Sequence, residues 1–198
     1  MKKKLLVIIV LFSTSILSAQ TTNQEVTSQL AKLINDIQNF KRGNTLYKQI
    51  LNETVIVNSS SNARFYGGKT RTGFKINLPE GTQTWYYRIT LLEPNSSYSY
   101  PYNADFFSLL KNHNPLFINN QTNYGVDFFV LDDYSISNFL QTGNDNFRYY
   151  EKYSKKNTSG FINSCDLKSN NLWIGLKNPD IGHGLKAIVE VVAIGNFN

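Results

Sequence analysis

Between Gln24 and Lys41 apolar residues recur at spacings of four and three: Val26, Leu30, Leu33, Ile37 and Phe40, with Ile34 widening the stripe. Polar residues such as Lys32, Asp36 and Gln38 fill the other positions. That is the period of an amphipathic helix, and Gly43-Asn44 stops it. Fewer than three heptads precede the glycine, too few for a coiled coil, so the stripe is expected to pack on the domain C-terminal to it.

From Thr54 the period falls to two. "TVIVN" (54–58) reads as a strand and "NSSSN" (58–62) as a loop. Phe74, Ile76 and Leu78 alternate with Lys75 and Asn77, and Pro79-Glu80-Gly81 makes a turn. Trp85, Tyr87, Ile89 and Leu91 then alternate with Tyr86, Arg88 and Thr90, which predicts a strand with one buried face. An excursion from Pro94 to Tyr124 interrupts the strands and holds a short helical piece near Asp105 to Lys111. "GVDFFVLDD" (125–133) is a further strand. Ser135 as N-cap and Gly143 as stop predict a short helix between them. "NFRYYEKYS" (146–154) is a polar and aromatic strand candidate.

Two runs close the chain. Leu172, Ile174 and Leu176 alternate with Trp173, Gly175 and Lys177. Leu185, Ala187, Val189, Val191 and Ala193 face one way, and Lys186, Ile188, Glu190, Val192 and Ile194 the other, as in a central strand covered on one side and partly on the second. The "NPDIGHG" between them is turn chemistry throughout.

The order of these motifs resembles that of GOLD-type β-sandwiches, and secondly of secreted pre-peptidase C-terminal-like sandwiches. The resemblance rests on the P-x-G turn after Phe74, the aromatic strand at Trp85, "VDFFV" at Val126, "LWIGLKNP" at Leu172 and the valine-rich final strand. It spans about Val55 to Ile194, broken by the excursion. It implies an extracytoplasmic binding or accessory role and carries no catalytic residues over to this chain. The expected fold is therefore mainly β: an antiparallel β-sandwich, jelly-roll or GOLD-like, with an N-terminal amphipathic helix and one or two short inserted helices.

The first residues add a location. Lys2, Lys3 and Lys4 precede the apolar run Leu5–Phe12, and Ser18-Ala19-Gln20 comes after it. The run is short of the ~20 apolar residues of a membrane span, so it reads as a secretory leader of bacterial form, cut after Ala19. The expected organisation is a signal peptide at 1–19, a helical segment at 20–52 and a sandwich at 53–198. The product would be secreted, periplasmic or held in the cell envelope, with no membrane span after cleavage.

Charge then matters less than it first suggests. The chain has 20 basic and 14 acidic residues, a net +6, but three lysines leave with the leader and the balance falls to +3. Without a Lys/Arg block longer than Lys155-Lys156, a nucleic-acid partner is not expected. Cys165 is the sole cysteine, so an internal disulfide is impossible and a buried structural thiol is expected.

Candidate chemistry is sparse. Asp180 and His183 share the closing turn and are weak metal ligands, with Asp166 or His113 as conceivable additions, but a zinc site needs three or four. No metal-binding motif is present, and no cofactor is expected. Cys165 with His183 or His113 would need a third group to orient the base. Glu80, Glu93, Asp127, Asp132 and Asp133 are the carboxylates available to a glycosidase, and by default they are solvated strand ends. Aromatic residues are plentiful, with 12 Tyr, 13 Phe and 2 Trp. Tyr98, Tyr100 and Tyr102 would share one face of an extended segment and could stack on sugar rings or anchor a protein. Tyr86 and Trp173 are further candidates on the outer strand faces. The expectation is an exported, non-enzymatic binding or accessory domain that recognises protein or carbohydrate through exposed aromatics. The alternative is an extracellular hydrolase or secreted effector with an unrecognised site.

Overall fold

The computed structural model describes residues 46–96, 106–107 and 122–197. The expected leader, the predicted helix over 24–41, His113, Tyr98, Tyr100 and Tyr102 lie outside the described residues. The order of elements is β1 (Leu46–Val57), α1 (Ser60–Tyr66), β2 (Arg71–Ile76), β3 (Thr82–Leu92), β4 (Val126–Asp132), α2 (Asp133–Leu140), a 3₁₀ turn (Glu151–Tyr153), β5 (Lys155–Thr158), β6 (Gly160–Cys165), β7 (Leu172–Lys177) and β8 (Leu185–Gly195).

The strands form two four-stranded antiparallel sheets, ordered β1-β8-β3-β6 and β2-β7-β4-β5. Every connection except β4 to β5 crosses from one sheet to the other. This is the connectivity of an eight-stranded jelly roll. The β2–β3 and β7–β8 connections, read from sequence as simple turns, are therefore arches across the sandwich. Among the described residues, no helix is long and apolar enough to cross a membrane.

Alternation accounts for the core between the sheets. Trp85, Tyr87, Ile89 and Leu91 of β3 and Ala187, Val189, Val191 and Ala193 of β8 face Ile174 and Leu176 of β7 and Phe128 and Val130 of β4. Tyr87 stacks on Phe128 at 4.9 Å, and Phe161 meets Phe128 edge-on at 5.0 Å. The Tyr87 hydroxyl donates to Tyr153 O at 2.6 Å, and Trp85 Nε1 donates to Leu167 O at 2.9 Å, so the two largest polar rings are satisfied inside.

Both outer faces are also partly covered, which the period alone did not predict. On the β3–β8 face Arg88 and Glu190 are buried together. Arg88 Nε lies 2.6 Å from Glu190 Oε2 and Nη2 lies 3.0 Å from Oε1. The backbone N–H of Phe106 donates to the same carboxylate at 2.7 Å, and its ring lies 5.3 Å from the guanidinium carbon. On the other sheet α2 packs its Ile136 and Phe139 on Phe129 and Leu131, with Phe147 and Tyr149 beside them. Gly175 and Gly73 let the helix come this close. A Cβ on Gly175 would stand 2.7 Å from Leu131 Cδ1 and from Phe139 Cε1, and one on Gly73 would stand 2.7 Å from Ile136 Cδ1. Arg71 ties the helix C-terminus down. Its Nη1 donates to Phe139 O at 2.8 Å and Asn144 O at 2.6 Å, and its Nη2 to Asp145 at 2.6 Å.

Several expectations need correction. The strand expected at Thr54 begins at Leu46. The "NSSSN" stretch enters helix α1, because Ser59 caps it by accepting from Asn62 N and distant carbonyls take its first amides. Asp132, not Ser135, caps α2: its carboxylate accepts from Ser135 N at 2.8 Å. Residues 146–150 are irregular, because Phe147 and Tyr149 turn onto Phe129.

Removing one member of the buried pair leaves the other charge in a low-dielectric site. Glu190→Gln should lower unfolding free energy by about 3 kcal/mol in urea denaturation, and a loss under about 1 kcal/mol would contradict the assignment.

Candidate functional site

The registers gather four connections at one end of the sandwich. Val57 lies opposite Leu185, Arg71 and Asp127 opposite Lys177, Leu92 opposite Lys186, and Thr90 opposite Gly160. The β1–β2, β3–β4, β5–β6 and β7–β8 connections therefore begin and end together. The closing turn "NPDIGHG" and the connection carrying Tyr98, Tyr100 and Tyr102 both spring from this end.

Asn178 holds the β7–β8 arch in place. Its backbone N–H donates to Thr70 O at 2.9 Å, and its Nδ2 donates to Val57 O at 3.0 Å and His183 O at 2.8 Å. Its Oδ1 accepts from Asp180 N at 2.9 Å. The arch is therefore bound to the ends of β1 and β2, and α1 docks onto it through Ser60 N to Asp180 O at 3.3 Å and Ser61 N to Ile181 O at 2.9 Å. Short polar side chains completing turn hydrogen bonds explain why Asn and Asp stand here.

Asp180 then organises His183. Its Oδ1 accepts from Gly182 N and His183 N, both at 2.7 Å, and lies 3.3 Å from His183 Nδ1. The two amides, His183 first, hold the Asp180 carboxyl below its ordinary 3.8. His183 Nε2 lies 3.0 Å from the Tyr124 hydroxyl. The Tyr124 and His183 rings lie 4.0 Å apart and 18° from parallel. The result is an ordered carboxylate–imidazole–phenol row, with the His183 side chain 53% exposed.

The same end carries apolar side chains that face solvent: Phe65 at 74%, Tyr66 at 87% and Ile181 at 73% exposure. Sequence reasoning passed over Tyr124, Phe65, Tyr66 and Ile181. The first is placed by long-range pairing. The other three had a signal: an aromatic pair ahead of Gly67-Gly68, and an isoleucine inside a polar turn.

Of the other sequence candidates Asp127 lies at this end, opposite Lys177, while Tyr86, Trp173, Asp132, Cys165 and Asp166 lie away from it. Tyr86 is buried, 2% exposed, on the outer face of β3 where Phe106 also packs, so its ring is closed to a ligand. Trp173 is half-buried beside α2; its Nε1 donates to Asp133 at 2.5 Å, and Lys75 lies 5.8 Å over its ring. Asp132 caps α2, Asp127 accepts from Asn157 N, and Asp166 is held by Tyr153 and Lys152. Cys165 is buried opposite Trp85, seven residues along β3 from Leu92, or roughly 20 Å from the loop end. It cannot partner His183, nor can the adjacent Asp166 join a metal set there. Among the described residues no three His, Cys, Asp or Glu side chains group closely enough to hold a metal ion. No family model matches the chain, and no curated protein matches it.

Burial pushes the Cys165 thiol up to about 12. At pH 8 the thiolate fraction is then about one in ten thousand, and a disulfide reagent should label Cys165 only after denaturant is added. Rapid labelling of the native protein would refute the burial. Because the folded Asp180 carboxyl ionises below its unfolded value, its support for the arch is complete above the ordinary 3.8 and fades as pH falls through the lower folded value. The Gly182 and His183 amide resonances should therefore titrate together below pH 3.8. Inflections above that value would contradict the two hydrogen bonds.

Proposed function

We propose that the chain is an exported, non-enzymatic binding domain whose recognition surface is the loop end of the jelly roll, and that its ligand is a protein surface. The carrying observation is the convergence of Phe65, Tyr66 and Ile181, exposed, with the ordered Tyr124–His183–Asp180 row on three adjoining connections. Rigid strands with a cluster of loops at one end are a common platform for recognition. Exposed aromatic anchors beside fixed donors and acceptors match the composition of protein interfaces. The chain's resemblance to GOLD-type and pre-peptidase C-terminal-like sandwiches supports the same extracytoplasmic accessory role, and the leader supports export. The connection carrying Tyr98, Tyr100 and Tyr102 is rooted at the same end.

Scatter of the nucleophile and acid candidates favours this reading over a hydrolase. The residues that would have to cooperate, Cys165 and His183, sit toward opposite ends of the sandwich.

The test compares the mature protein with a Phe65→Ser, Tyr66→Ser, Ile181→Ser triple variant on envelope-protein extracts and on a glycan array. Partners recovered by the parent should bind the triple variant at least about ten-fold more weakly, with an unchanged melting temperature, since the three side chains are exposed. Equal recovery by both proteins would sink the assignment of the surface. Binding confined to the glycan array would replace protein by carbohydrate as the ligand class, and turnover of an array glycan would revive the hydrolase.

A further inference from the structure

β1 ends the sheet order β1-β8-β3-β6, so among the described strands its second edge is unpaired. It is 12 residues long, without Gly or Pro, and only Val57 is buried. An open edge of this length is a template for another strand, and proteins commonly blunt such edges with charge or a bulge. β1 has both, and their placement is specific. Its only charged residues are Lys48 and Glu53, each exposed.

On a regular strand two residues five apart face opposite ways. Here the register passes from Gln49 opposite Val192 to Leu51 opposite Val191, so Ile50 is an extra residue. The bulge restores the match. Lys48 lies opposite Ala193 and Glu53 opposite Val189, two inward positions of β8, so both charges share one face. They also present their backbone groups to the same side of the strand, because Ala193 and Val189 are an even number of residues apart.

We propose that the edge of β1 left open by the described strands pairs with β1 of a second copy, antiparallel about a two-fold axis at the bulge, joining two four-stranded sheets into one continuous sheet. In this register Lys48 of each copy faces Glu53 of the other. Gln49 meets Asn52, and Leu46 meets Val55. The bulge makes the parity of these pairs correct. Sliding the register by two residues puts Lys48 opposite Leu51 or Val55 and loses both ion pairs. Opposite charges this exposed add little affinity; their part is to favour the one register in which each is matched. The contact is isologous and closes on itself, with no free edge of β1 left to propagate a fibre.

Sedimentation equilibrium of the mature protein should show a monomer–dimer equilibrium. Lys48→Glu and Glu53→Lys should each weaken the dimer at least about ten-fold, and the double exchange should restore it. Backbone amides of β1 in the unaltered protein should exchange faster on dilution, a measurement that needs no variant. A monomer at every concentration overturns the proposal. So does a dimer indifferent to both single reversals, a double variant as weak as the singles, or β1 exchange independent of concentration. None of these outcomes bears on the loop-end surface, which lies beyond Val57.

Discussion

The buried Arg88–Glu190 pair is the constraint around which the rest is arranged. β8 runs between β1 and β3 with almost every residue covered on both faces, so hydrophobicity alone does not choose its register: Val189, Val191 and Val192 would bury well on either side. Glu190 breaks the symmetry. A slip of one residue would carry its carboxylate into the apolar core and away from Arg88. The pair need not add net stability to have this effect. Its cost in any other register is what matters, and the third bond from Phe106 makes the correct register the satisfied one.

The β1–β8 register, a second pairing of the same strand, sets the loop end. Leu185 comes opposite Val57, which brings His183 O and Val57 O within reach of the same Asn178 side chain. The arch then has one shape, and Asp180 can turn the His183 ring onto Tyr124. The loop end is thus an end product of strand pairing some distance away. The exposed side chains around it sit on elements too short to be stable by themselves, such as α1, which relies on Asp180 and Ile181 carbonyls for its first amides.

The second sheet uses another device. Gly73 and Gly175 sit where α2 crosses, and Arg71 gathers the carbonyls at its end. A sheet face that is otherwise alternating and solvated becomes an interior. The same logic explains why Tyr86, an outward residue by period, is not available for binding: its face carries Phe106.

Alternation was enough to read the sandwich and its strands β2, β3, β4, β7 and β8 from the sequence, because a period of two depends only on neighbours along one strand. It also located the "NPDIGHG" turn, whose asparagine, aspartate and glycines carry their turn preference locally. It could not say that Tyr86 and Arg88 are covered, that residues 60–66 are helical, or that Tyr124 meets His183. Those facts depend on which strands lie side by side and on what crosses over their faces. Pairing is a relation between residues far apart in the chain, and its energy is felt only when the two sheets close. The sequence by itself therefore determined the layers and the turns. The tertiary structure alone decided which end became a surface, because bringing four connections together is a property of topology and of no single segment.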